Sequence, residues 1–445
     1  MQYNGAPVIL SYDTTKSNYP GVNNVIANFA AAAGGTLTAG NQSLSYKTTA
    51  TLLTMQYFTS FDGLPSTIQT WQLVSDGGLA NSTKVTVEVS ALFETPKVPA
   101  YSMAAFATNN QCGALQLNGN VGTDSYNSGG LSGTTTPPQD KYDGDVGTNG
   151  NMTVSGGAAS VYGNLYSPRA GVGACSTVNV TALTETGTTL YNQDGTPKNP
   201  QQAVQLPKAV AFPTPTIPSF STLAGITITN GGTTASSCGG LGYTGPLYTG
   251  CSVSGKIVTL TAPPLDGSGN PITMPSVSLS SQTELQLVGN ATYPNGYAFN
   301  SITETGQATV GVKVNTPPVG TLINIVGQDN SGNAIATPLD LTGGSTATPD
   351  LSGCGSCSQF DASLMQFVYG GTGQIKIQGN VSAAASFYAP NASADLGGTA
   401  DLYGSIVAAT LYDHGVAGIH YDRKLQTSVW IAGQPMSGTF SWKRF

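Results

Sequence analysis

Charge is what this sequence has least of. Only 8% of its 445 residues are Asp, Glu, Lys or Arg, against about 25% in an ordinary soluble domain. Lys plus Arg number 15 and Asp plus Glu 22, for a net charge of −7. The basic footprint that nucleic acid demands is absent, so no nucleic-acid partner is expected. Histidine occurs only twice, as His414 and His420, and any imidazole chemistry must use one of these. Long apolar runs are also missing. "VIANFAAAAGG" at 25–35 has about half of the roughly 20 residues that a membrane helix needs, so no membrane span is expected. The start "MQYNGAPVIL" lacks the basic and apolar regions of a signal peptide, and the chain reads as a form trimmed of any leader.

What is present is small, polar and turn-forming. There are 57 glycines and 26 prolines without a three-residue period, and this excludes collagen. Hydrophobic residues make up 39%, enough to fill a core. A surface built from Thr, Ser, Asn and Gln suits β-structure outside the cell. The six cysteines, Cys112, Cys175, Cys238, Cys251, Cys354 and Cys357, suggest an oxidising compartment and disulfides. Cys238–Cys251 and Cys354–Cys357 are natural local pairs, leaving Cys112 with Cys175, although spacing alone does not fix the connectivity. Asn-x-Ser/Thr sites such as Asn81, Asn179 and Asn391 are explained by the abundance of Thr.

Residues 1–100 read as a small α+β domain. A helix is expected over 21–35, stopped by Gly34-Gly35. Strands are expected over 69–78 and 83–95, joined by a hairpin through Asp76-Gly77-Gly78. From 101 to 445 a motif recurs: "LQLNGNV" at 115–121, "MTVSGGA" at 152–158, "LQLVGNA" at 285–291 and "IKIQGNV" at 375–381. A second echo pairs "VYGNL" at 161–165 with "LYGSI" at 402–406. Two apolar residues at i and i+2 point into a core, and a glycine corner turns the chain. That pattern predicts a mainly β protein whose second domain is a β-solenoid, with inserted loops at about 125–150 and 181–260. Ala389 and Ala408 stand about one coil apart. "QLPKAVAFPTPTIPS" at 205–219 is a proline-rich connector expected to cross the surface between solenoid segments. The competing fold is a β-sandwich with Gly-rich hairpins.

The candidate chemistry is thin. His414 and His420 are flanked by Asp413 and Asp422, but no metal spacing such as H-x-H or H-E-x-x-H occurs and no G-x-S-x-G elbow is present. The expected role is structural, with His420 and Asp422 pinning the last coils by a hydrogen bond. "DKYDGDVGTNGN" at 140–151 places Asp140, Asp143, Asp145 and Asn149 close together, a hard-oxygen set that suits Ca²⁺ but lacks EF-hand spacing. Calcium is the one cofactor the sequence offers. "CGSC" at 354–357 follows a loop and reads as a local disulfide rather than a redox motif. A polysaccharide-cleaving site would need clustered carboxylates, whereas 370–411 holds only Lys376, Asp395 and Asp401 as charged residues. "SVWIAGQPMSGTFSWKRF" at 428–445 is expected to cap the last coil or to offer a strand to another subunit.

"TDSY" at 123–126, "VGTNGN" at 146–151 and "AGIHYD" at 417–422, in that order, resemble the extracellular region of PilX-type pilus assembly proteins of type IV pilus systems. The likeness extends over most of 60–445. It implies a non-enzymatic, extracellular structural or adhesive protein at the cell surface, possessing the character of a minor pilin-like tip subunit. Its partners would be other pilus or filament subunits, further copies of itself, and surface glycans. Relatives of that kind begin with a hydrophobic pilin helix, which this sequence does not show. The alternative readings are a polysaccharide-active enzyme and a glycan-binding module, each on a β-solenoid.

Overall fold

Short apolar alternations broken by Gly and Pro favour strands over helices, and the computed structural model of the chain is mainly β. It describes residues 2–3, 6–7, 31, 33–59, 65–79, 86–94, 97–155, 158–168, 188–215, 250–265, 269, 271–274, 276–329, 331–432 and 436–444. The chain divides into two units, one of residues 1–60, 65–98 and 431–445, the other of 61–64 and 99–430.

The first unit carries a five-stranded antiparallel sheet in the order Gly34–Ala39, Gln42–Thr59, Pro65–Leu79, Thr86–Glu94, Met436–Arg444. Three expectations change here. Gly34 and Gly35 open a strand, and most of the expected helix at 21–35 lies outside the described residues. The hairpin pairs as foreseen, but Asp76, Gly77 and Gly78 lie inside its first strand, opposite Glu88, Val87 and Thr86. The residues that join the two strands, 80–85, lie outside the described residues. The C-terminal segment is neither a cap nor a free strand: Met436–Arg444 pairs along Thr86–Glu94. Eight register pairs outweigh whatever an end coil offers, and removing 434–445 would strip a strand from this sheet.

The second unit is built on a 24-stranded sheet whose pairings are almost all parallel. The strands fall into three columns. The first column stacks, in order, Ile257–Leu260, Glu284–Val288, Thr309–Lys313, Thr346–Asp350, the start of Ser382–Gly398, the start of Asp401–Gly415, Gly418–Asp422, Gly122–Tyr126, Ala159–Val161 and Thr188–Leu190. The second column stacks Tyr297–Phe299, Thr321–Ile325, Met365–Tyr369, the middles of the two long strands, Ala105–Ala107, Val146–Thr148, Leu165–Ser167 and Val204–Gln205. The third stacks Val277–Leu279, Ile302–Glu304, Leu339–Gly343, Gln374–Gly379, the ends of the two long strands, Leu115–Gly119 and Met152–Ser155. Stacking order departs from chain order. Residues 251–422 wind toward the middle of the stack, and residues 105–205 continue from there.

Inward positions form ladders of like residues. Val277, Ile302, Leu339, Ile375, Ala394, Leu411, Leu115 and Met152 are register partners in sequence, and each is buried. Phe367 and Phe387 stack face to face with centroids 4.9 Å apart, a contact worth about 0.5–1.5 kcal/mol beyond burial. Ala389 pairs with Ala408 as expected. The described part of the proline-rich connector crosses the second column: Phe212 packs on Phe106 and Tyr388, and Tyr388 donates to the Pro213 carbonyl at 2.8 Å. Where it is described, the loop foreseen at 181–260 holds the short strands Thr188–Leu190, Val204–Gln205, Cys251–Ser254 and Ile257–Leu260, the turn after Leu190, and this connector.

The recurring glycine closes the third column. Gly343, Gly379, Gly398, Gly415 and Gly119 are stacked neighbours, all with positive φ between 78° and 112°. A Cβ on Gly415 would lie 2.6 Å from the Gly398 carbonyl oxygen, so the corner admits no side chain. We expect Gly415→Ala to lower the unfolding free energy by about 1–3 kcal/mol in denaturant titration; an unchanged midpoint would contradict the ladder.

Candidate functional site

The break between chain order and stacking order creates a seam. At it, Gly418–Asp422 lies between Asp401–Gly404 on one side and Gly122–Tyr126 on the other, parallel to both. Beside it, Ile406, Val407 and Ala408 pair with Ala105, Phe106 and Ala107, and Leu411–Gly415 with Leu115–Gly119. The chain enters and leaves this unit side by side, with Ala100 N–H donating to the Val429 carbonyl at 2.9 Å.

Parallel register sets His420 opposite Asp124 and Tyr403. Its Nδ1 lies 2.6 Å from Asp124 and its Nε2 3.5 Å from Asp401, with the Gln139 amide at 3.3 Å and the Tyr403 ring at 4.6 Å. Burial pulls the imidazole down, but the hydrogen bonds and charges of Asp124 and Asp401 outweigh it and raise its pKa to about 9. At neutral pH the ring is an imidazolium with both nitrogens engaged, a fastener rather than a base. The expected partner, Asp422, is occupied elsewhere. Fully buried, it accepts from Ser128 N–H at 3.1 Å, Ser128 Oγ at 2.6 Å, Ala362 N–H at 3.3 Å and Lys424 N–H at 3.1 Å. Burial raises its pKa to about 6 against the pull of those donors. Asp422 thus ties two loops to the seam, and neighbouring Asp361 pairs with Lys424.

His414 bonds outward. Its Nε2 lies 2.9 Å from Asp395 and its ring stacks on Tyr412. The aspartate beside it points the other way. Asp413 is fully buried without a hydrogen bond, between Leu396 and Leu117 in the core ladder Leu279, Glu304, Leu341, Ile377, Leu396, Asp413, Leu117. Desolvation drives its pKa well above the usual carboxylate range, and the same holds for Glu304. Four ladder steps separate the two acids, roughly 19 Å at strand spacing, so they share neither a proton nor an ion.

The four residues expected to hold Ca²⁺ do not converge. Asp140 pairs with Arg423 at 2.7 Å, and Asp143 stands 4.0 Å from the same guanidinium. Asp145 accepts from Asn164 N–H at 2.6 Å. The Asn149 amide is occupied by Thr108 and by both backbone groups of Val210. Asp140 and Asp143 share Arg423 while Asp145 and Asn149 turn to other partners, and among the described residues no group of three or more His, Cys, Asp or Glu is placed to hold a metal. Of the carboxylates considered for polysaccharide cleavage, Asp395 and Asp401 each bind a histidine, while Lys376 lies between Asp340 and Asp395 in register. Cys354 and Cys357 form a disulfide. Cys112 and Cys251 are also disulfide-bonded, while their expected partners Cys175 and Cys238 lie outside the described residues.

Sequence reasoning missed Asp124, Gln139, Ser128, Asp361 and Arg423, because their partners are 63 to 296 residues away. One signal was available: "TDSY" and "AGIHYD", two stretches that carry the pilus-protein resemblance, are the strands paired across the seam.

A family model for a domain of unknown function, DUF7305, matches residues 289–428, the part of the chain that winds down to the seam and ends in the turn Leu425–Ser428. No curated protein matches. Among solved structures, the competence-associated pilin ComZ from Thermus thermophilus is similar at 12% identity and a TM-score of 0.27, over 89% of this chain and 88% of that one.

Two outcomes are expected. A raised histidine pKa gives stability that is fully present below about pH 6.5 and is lost as pH rises through about 9. The shift corresponds to roughly 3 kcal/mol at most, and His420→Gln should flatten the unfolding free energy between those pH values. The Asp422 shift acts lower, between its ordinary value of 3.8 and about 6, and leaves that window untouched. Asp413→Leu should raise stability at pH 7 by about 1–3 kcal/mol by restoring the aliphatic ladder; a loss would mean that the carboxyl has a partner the ladder hides.

Proposed function

We propose that this chain is a non-enzymatic structural protein of the cell exterior, associated with a pilus or another surface filament, and that its three columns close into a β-solenoid. One observation carries the reading. Both histidines of the chain are spent on carboxylates of neighbouring strands, at 2.9 Å and 2.6 Å, so the groups best suited to chemistry serve to hold strands together. Parallel ladders that repeat in three columns are what a solenoid requires, since each turn leaves its faces to be covered by the next.

Two further properties support an exterior setting. Disulfides at Cys112, Cys251 and Cys354–Cys357 fit an oxidising compartment. A chain with 8% charged residues presents mainly hydroxyls and amides to its surroundings, suited to contact with other subunits without strong steering. Association with type IV pili, in the manner of PilX-type proteins, rests on the ordered motifs "TDSY", "VGTNGN" and "AGIHYD". A tip or adhesive role is the narrower form of the same proposal, with glycans or host surfaces as the ligands to examine.

The test is localisation joined to imaging. In the native source, antibody against the chain should label sheared surface filaments in immunogold electron microscopy; label confined to the cytosol would refute the filament role. In the purified chain, the second unit should show a stacked axial repeat. Ten strands in the first column at about 4.8 Å each give a stack of roughly 45 Å. A particle without that axial repeat would refute the solenoid.

A further inference from the structure

One corner of the second unit brings together a lysine, an asparagine and an acid from three successive levels of the stack. Asp145 precedes the strand Val146–Thr148, Asn164 precedes Leu165–Ser167, and Lys198 follows Thr188–Leu190. All three sit where the chain passes from the first column to the second. Lys198 Nζ is in contact with Asn164 Oδ1. On the other side of the same amide, Asn164 Nδ2 donates to Asp145 Oδ1 at 3.1 Å and to Tyr166 Oη at 3.3 Å. Those two acceptors fix which end of the amide is nitrogen and leave its carbonyl turned to the lysine.

The surroundings hold this arrangement in place. A tight turn, with Tyr191 bridged to Pro197, returns the chain so that Lys198 N–H donates to the Leu190 carbonyl at 2.8 Å and Gln201 Nε2 donates to the Lys198 carbonyl at 2.6 Å. Leu190 is fully buried and is the register partner of Val161, so the lysine backbone is anchored on the core. Asn164 N–H also donates to Asp145 Oδ1, at 2.6 Å. Gly163 leaves the acid its place: a Cβ there would lie 2.4 Å from Asp145 Oδ1. Tyr162 and Tyr191 stack beside the group at 4.5 Å.

We propose that Lys198 and Asn164 are joined by an isopeptide bond that forms without any other enzyme, with Asp145 as the catalytic acid–base. Lys198, after losing its ammonium proton to solvent, attacks Asn164 Cγ with its Nζ lone pair. Asp145 accepts one of the two protons still on Nζ, the other staying on the new amide, and delivers a proton to Nδ2. The Cγ–Nδ2 bond breaks, ammonia leaves, and the Nζ–Cγ amide remains. Nothing is oxidised or reduced, and Asp145 ends in the state in which it began. Burial keeps the Asp145 carboxyl above its ordinary pKa, against the pull of Asn164 and Lys198, which favours the protonated form that a leaving amine needs. The bond would fasten the last described level of the stack, whose strands are only three and two residues long, to the level before it. Short end strands fray first, and an open edge invites pairing with other chains.

Mass spectrometry of the full-length, reduced protein decides the matter. The wild type should weigh one ammonia less than its sequence, about 17 Da, and fragmentation of a digest should recover a species joining the peptides around Asn164 and Lys198. Lys198→Arg and Asp145→Ala should each return to the full sequence mass, with circular dichroism verifying that each is folded. If neither variant folds, the wild-type fragmentation alone decides. Full mass in the folded wild type overturns the proposal. So does an ammonia loss that maps to Gln2 or to another asparagine, with the Asn164 and Lys198 peptides unlinked.

Discussion

The second unit depends on one seam. Gly418–Asp422 lies between two strands that are near and far in sequence, Asp401–Gly404 and Gly122–Tyr126. Without it and the two pairings beside it, Ile406–Ala408 with Ala105–Ala107 and Leu411–Gly415 with Leu115–Gly119, the unit would hold two shorter stacks, one wound from 251 to 422 and one from 105 to 205, each with an open parallel edge at its inner end. Closing the seam covers both edges at once. It also demands register across almost 300 residues, as between Asp124 and His420. A contact of such sequence separation carries a heavy entropic cost before it returns any energy, so the seam needs more than backbone hydrogen bonds. The polar side chains meet that need. His420 bridges Asp401 and Asp124 across the joint, Asp422 holds Ser128 and Ala362, and Arg423 reaches Asp140.

Away from the seam, the stack is held by repetition. The ladder from Val277 to Met152 is aliphatic at every level, and the glycine corner beside it recurs from Gly343 to Gly119. Asp413 and Glu304 interrupt a parallel ladder of aliphatic side chains, Asp413 without a hydrogen bond, at a cost that neutralisation reduces but does not remove. Their neighbours Leu396, Leu341 and Leu117 supply the burial that tolerates them.

What could be read in the sequence is what repeats locally. "LQLNGNV" and "IKIQGNV" end on glycines of the same ladder, Gly119 and Gly379. "VYGNL" and "LYGSI" sit at the same corner, since Val161 and Leu402 share one ladder through Thr123 and Ile419. "LQLVGNA" looks like the first pair but belongs to the first column rather than the third, because apolar alternation followed by glycine marks any corner of such a stack. Periodicity does not say which strand lies next to which. The placement of residues 105–205 after 422, the departure of Met436–Arg444 to the other unit's sheet, and the partners of His420 all follow from pairing between distant segments, which no local pattern encodes. The Asp–His adjacency that drew the eye in sequence, Asp413 with His414, is the one that register splits: alternate residues of a strand face opposite ways.

The same distinction orders the fasteners. Within the continuous runs, each strand is tethered by the chain to the next, and ladders of Leu, Ile, Val and Ala with glycine corners suffice. Where chain continuity gives no help, charged side chains add to the backbone ladder. The seam has no covalent link between Asp422 and Ala105, and there the buried histidine and its carboxylates gather. The level beyond Leu165–Ser167 has strands too short to hold by backbone bonding alone, and there Asp145, Asn164 and Lys198 meet. A chain with 8% charged residues has few such groups to place. Those that stand at the discontinuities supply there what repetition supplies in the interior of the stack.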